Sequence, residues 1–67
     1  MPEPGEVWRH HRGACYCVQA LYNEMAEDHA IYPVMVGYHP KDKPTVLWCR
    51  PLPEFLHSFK LHRTDNE

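Results

Sequence analysis

Six histidines and three cysteines among 67 residues are the side chains best suited to chemistry in this chain. Together they could hold zinc, and a structural metal would help so short a polypeptide. The spacing argues otherwise, because the C-x-x-C and H-x-x-x-H pairings are missing. Cys15 and Cys17, two apart in an extended segment, share a face, and His10 or His11 could approach them across a hairpin. Such a site would still need a ligand such as Cys49 or His57. The plainer account is half-buried thiols that pack as small hydrophobes, so no metal or cofactor is expected, and Cys15, Cys17 and His10 stand only as the minor metal alternative. A nucleophilic cysteine needs a base or cation beside it, and Cys15 near His10 or His11 is the one arrangement on offer. A chain this short has little room for a pocket that both holds substrate and excludes water, so a non-enzymatic role is expected.

The constellation of most interest is Trp48 with Arg50, two apart and therefore on one strand face, while Leu47 and Cys49 take the other. An indole beside a guanidinium suits recognition, since both are enriched where binding energy concentrates. The competing account makes Trp48 the main core residue and pairs Arg50 with Glu27 or Glu54 to pin a loop. His10 and Arg12 alternate in the same way, within a basic run Arg9-His10-His11-Arg12. That run is either an anion contact or one solvated strand face.

The chain that carries these groups reads as one domain with a thin margin of stability. Its aromatic residues supply a core without disulfides, and three cysteines, an odd number, fit reduced thiols in a cytoplasmic setting. No apolar run is long enough for a membrane helix, and no signal peptide is recognisable, so a soluble protein without a membrane partner is expected. The net charge of −2 speaks against binding that rests mainly on phosphates.

Residues 1–5, with two prolines and a glycine, read as a leader; residues 6–62 as a single β domain; residues 63–67 as a disordered tail. The pattern predicts strands over Glu6–His11, Ala14–Tyr22, Ala30–Tyr38 and Thr45–Arg50, with a turn at Arg12-Gly13. In the second strand Tyr16, Val18, Ala20 and Tyr22 should share one face. Asn23–His29 reads as an acidic loop, and Pro33 places an edge or bulge inside the third strand. His39–Pro44 reads as a turn, and Pro51–Leu56 as a helical turn with Leu52, Phe55 and Leu56 on one side. Phe59–His62 closes the series. The expected fold is therefore mostly β: a small, partly open SH3-like barrel of four to five strands, with one short helical turn before the last.

Gly5, Trp8-Arg9-His10-His11-Arg12-Gly13, Tyr16-Cys17-Val18 and Leu47-Trp48-Cys49-Arg50-Pro51-Leu52 with Phe55 together resemble the bacterial domain of unknown function 1653. The family pattern runs approximately G-x-Y-x-H-[FY]-K-G-x-x-Y-x-V, an acidic loop, an apolar strand and W-x-R-P-L-x-x-F. The resemblance covers Gly5 to about Phe59, with W-x-R-P-L-x-x-F its most specific part. His11 and Arg12 depart from the family's aromatic and lysine, Glu27 is the nearest equivalent of its acidic loop, and His39–Pro44 is a longer insert. The resemblance implies a small β-barrel and no particular reaction.

The expected role is a binding module that meets a protein partner through Arg9, His10, Arg12, Glu27, Trp48 and Arg50, with a homodimer as one form of that partnership. The alternatives are single-stranded DNA or RNA binding, using Tyr16 or Tyr32 beside Arg9 and Arg12, and a small metal- or thiol-dependent protein.

Overall fold

The computed structural model describes residues 1–63. The first hairpin joins β1 (Val7–His10) to β2 (Cys15–Tyr22), with Trp8 opposite Tyr16 and Val7 opposite Cys17. Gly13 closes it at φ 107°, a left-handed conformation that a side chain would strain. Its amide donates to the His10 carbonyl at 2.7 Å, and the His10 amide donates to Ala14 at 2.8 Å. The chain continues through β3 (Met35–Pro40) and β4 (Trp48–Pro51) to helix α1 (Leu52–Ser58) and β5 (Phe59–Arg63). All strands are antiparallel in one sheet of order β4-β3-β2-β1-β5, so β5 returns to pair with β1. The sheet is not closed; β4 and β5 are its two edges.

One face of this sheet is the core face. Trp8, Val18, Val36 and Tyr38 are buried there, with Phe55 from α1 and Phe59 at the start of β5. Phe55 and Phe59 stack at 4.3 Å with an interplanar angle of 8°, and Trp8 meets Phe55 edge-on at 5.3 Å. The buried indole N–H of Trp8 donates to Glu6 Oε1 at 3.0 Å, so this large ring is buried with its polar atom satisfied. Pro53 is tolerated in the first turn of α1, where its missing N–H would have had no helical partner. The helix start is tied to the sheet by the Leu52 amide, which donates to Val34 at 2.9 Å.

Several elements differ from the sequence pattern, each for a local reason. The register between β2 and β3 shifts between Val18 and Ala20, a bulge that reverses the alternation. Leu21 consequently packs toward the core opposite Val36, while Tyr22 is exposed and lies against Gly37, where a Cβ would come within 2.7 Å of the ring. The single face expected for Tyr16, Val18, Ala20 and Tyr22 is thus broken in two. The third strand begins at Met35 rather than Ala30. Asp28 captures the amides that a ladder would use: its carbonyl accepts from Ile31 and Tyr32, and its Oδ1 from Ala30.

At its other end β3 runs through His39 to Pro40, which the sequence assigned to a turn; the turn proper begins with the Lys43 amide donating to Pro40 at 3.0 Å. The Val46 amide folds back to Lys43, which delays β4 to Trp48 and leaves Leu47 outside the strand. Helix α1 extends past Leu56 to Ser58, and Leu56 itself is exposed while Leu52 and Phe55 face inward. The N-terminal leader is packed: Pro2 is buried, and the Gly5 amide donates to Val18 at 3.0 Å. Arg63 belongs to β5, and the rest of the expected tail lies outside the described residues.

Candidate functional site

Where β1, β2, β3 and β4 bring their ends together with the α1–β5 junction, the core face opens into a cleft of about 630 Å³. Its walls are rings, Tyr16, Tyr38, Trp48 and Phe59, with the imidazoles of His10 and His11 beside them, and its charged groups are Arg12 and Arg50. Among the described residues, no carboxylate lines it. The aromatic walls are ordered by mutual contact: Tyr16 meets Tyr38 at 5.5 Å and Phe59 at 5.3 Å, both edge-on.

Arg50 is the best-positioned cation. Its Nε donates to the Tyr38 hydroxyl at 2.8 Å and its Nη1 to Ser58 Oγ at 3.2 Å, while the guanidinium carbon sits 5.4 Å from the Phe59 centroid. Two bonds occupy two of the five N–H donors that a guanidinium carries, which leaves three for an anion. The partners suggested by sequence were Glu27 and Glu54. Arg50 instead uses neutral hydroxyls, because β4 pairs with β3 and its end faces Ser58 at the helix terminus. A cation held by neutral groups keeps its charge for something else.

Trp48 does not form the core. It lies opposite Tyr38 on the edge strand and is 55% exposed. Phe55 fills the central position that the competing account gave to the indole. Trp48 and Arg50 therefore do share a face, and that face is the open margin of the core side.

His10 turns inward against Phe59, with ring centroids 5.0 Å apart, and lies 4.1 Å from His11. Burial lowers its pKa below the ordinary value of 6.5, and His11, Arg50 and Arg12 act in the same direction. The Arg12 amide donates to His10 Nδ1 at 3.1 Å, an interaction that requires an unprotonated nitrogen. Because the folded state disfavours protonation, the unfolded chain binds more protons as pH falls past 6.5. The stability contributed by neutral His10 is complete above that value, declines below it and levels off beneath the folded-state pKa. In denaturant titrations from about pH 8 to about pH 5, the parent should lose more stability than His10→Gln. Equal losses in the two proteins would refute this assignment.

Of the residues singled out by sequence, His10, Arg12, Trp48 and Arg50 meet at this cleft. Arg9 lies on the opposite face of β1, across from Cys15 and Lys60. Glu27 is exposed in the β2–β3 loop and lines no part of the cleft. Cys15 and Cys17 share the face of Arg9, whereas His10 faces inward, so the hairpin separates these two thiols from His10. Among the described residues, no three His, Cys, Asp or Glu side chains converge to hold a metal ion. Tyr38, Ser58 and Phe59 were not foreseen as site residues. Their roles arise from contacts between β3, β4 and the end of α1, which no local spacing encodes.

The class that emerges is a small antiparallel β domain with an aromatic, cationic cleft. Among the described residues, no helix is long and apolar enough to cross a membrane. No protein-family model, curated protein or solved structure matches the chain.

Proposed function

We propose that this chain is a non-enzymatic binding module whose cleft holds an acidic segment of a partner protein, with an apolar side chain of that segment set among the rings. The observation that carries this reading is a cleft that no carboxylate among the described residues lines, in which Arg50 is fixed by Tyr38 and Ser58 beside an exposed Trp48. An uncompensated cation next to an accessible indole suits an anionic group joined to an apolar one. The separation of Cys15 from His10 onto opposite faces supports binding over thiol catalysis.

The strand order, with β5 returning to β1 after a short helix, supports a partly open SH3-like barrel. We carry the resemblance to the bacterial domain of unknown function 1653 into this proposal. The segment Trp48-Cys49-Arg50-Pro51-Leu52 with Phe55 carries two cleft residues and the central core ring in one motif. A cytoplasmic setting is proposed from the cysteine count, three and therefore odd.

The second reading, single-stranded DNA or RNA, draws on Tyr16 and Trp48 as stacking surfaces beside Arg12 and Arg50. Titration with a short peptide of one phenylalanine flanked by glutamates separates the two. Trp48 fluorescence should shift saturably, and Arg50→Ala should weaken binding about tenfold. No response to the peptide, with a steeply salt-dependent response to oligothymidylate, would overturn the protein reading in favour of nucleic acid.

A further inference from the structure

The cleft beside Arg50 does not end at the imidazoles. On the other side of His10 and His11 lies a second cleft of about 450 Å³, to which Arg9, His57 and Lys60 contribute together with Arg12. His10, His11, Arg12 and Ser58 line both. The junction is fixed, since the His11 amide donates to the Ser58 carbonyl at 3.0 Å while Ser58 Oγ accepts from Arg50. The two clefts form one band that passes from the core face, over the rim, to the outer face.

This band gathers charge that the composition hides. The chain carries a net charge of −2, yet Arg9, Arg12, Arg50 and Lys60, four of its seven Lys and Arg residues, line these clefts. Among the described residues, no carboxylate lines either. Arg9 and Lys60 are direct cross-strand neighbours. Like charges placed opposite each other on antiparallel strands destabilise the pair, and among the described residues neither has a carboxylate partner. That cost is recovered when an anion lies between them.

We infer that the second cleft seats the acidic flank of the same partner segment, so that recognition is two-pronged: an apolar side chain between Trp48 and Tyr38, and successive carboxylates over Arg9 and Lys60. The inference rests on the binding reading given above and adds the partner's chemistry: an extended peptide with an apolar anchor followed by consecutive acidic residues. Charge complementarity over the rim favours such a peptide. The acidic remainder of the surface disfavours a long polyanion.

The test uses the full chain and three labelled peptides of equal length, measured by fluorescence anisotropy at fixed salt. One has a phenylalanine followed by four glutamates, one the same anchor followed by glutamines, and one the glutamates without the anchor. Arg9→Gln with Lys60→Gln should weaken the first peptide about tenfold, leave the glutamine peptide unchanged and flatten the salt dependence. Both substitutions are at exposed positions, and matching thermal melts establish that the fold is intact. Equal affinity of parent and double variant for the acidic peptide would overturn the two-pronged inference while leaving the first cleft's role standing. Failure of all three peptides to bind the parent would remove both readings. Binding of oligothymidylate that is lost with Lys60→Gln, in place of peptide binding, would make the band a nucleic-acid surface and overturn the inference.

Discussion

Phe55→Ala should leave this domain largely unfolded. Phe55 is 0% exposed and touches the other large core rings: Phe59 in a stack, Trp8 on its edge and Tyr38 at 5.4 Å. Truncating a buried phenylalanine costs about 3–5 kcal/mol, because transfer free energy is lost and the surrounding rings cannot collapse fully into the space. A domain of this size has a total stability of roughly 5 kcal/mol, so one substitution consumes most of it. Near-ultraviolet circular dichroism should lose its aromatic signal at room temperature, and Phe55→Leu should retain a cooperative melt at lower temperature. A Phe55→Ala melt within a few degrees of the parent would place the centre of the core elsewhere.

Trp48→Ala should have the opposite signature. An indole that is 55% exposed on an edge strand contributes little to folding, so the change in stability should stay within about 0.5 kcal/mol. Partner binding should fall about 30-fold or more, the scale of a tryptophan hot spot. Trp8 is buried and bonded to Glu6, so the fluorescence remaining in Trp48→Ala should be insensitive to ligand. A variant that melts well below the parent, or binds as tightly, would return Trp48 to a structural role. Arg50→Ala is a less clean probe. Its bonds to Tyr38 and Ser58 also hold β4 against the α1–β5 junction, so its loss should cost stability of about 1–2 kcal/mol as well as affinity.

The elements legible in the sequence were those governed by local rules. Alternation around Trp8 and Val18, the Arg12-Gly13 turn and the proline-led helix before a final strand all appear, because strand period, glycine geometry and missing proline donors act over a few residues. The third strand was misplaced because Asp28 satisfies three amides that β propensity alone would have assigned to a ladder. The face of Leu21 was misread because a bulge depends on the partner strand and leaves no mark in a single segment.

The candidate site divides in the same way. His10, Arg12, Trp48 and Arg50 were identifiable by residue type, and the fold gathers them. The exposure of Trp48 was not legible, since it depends on β4 being an edge and on Phe55 taking the central place. Nor was the support of Arg50 by Tyr38 and Ser58, two residues that come from elements distant in the chain.

The pairing of β5 with β1 carries a kinetic implication. Val7 and Arg63 are partners across almost the whole described chain, and Phe59, which completes the ring cluster, arrives on that last strand. Ordering of the middle hairpins cannot nucleate a durable interior, because loop-closure entropy must be met before the distant strands repay it. Assembly should thus be all-or-none and slow for so few residues, with the cationic rim appearing in the same step as the core.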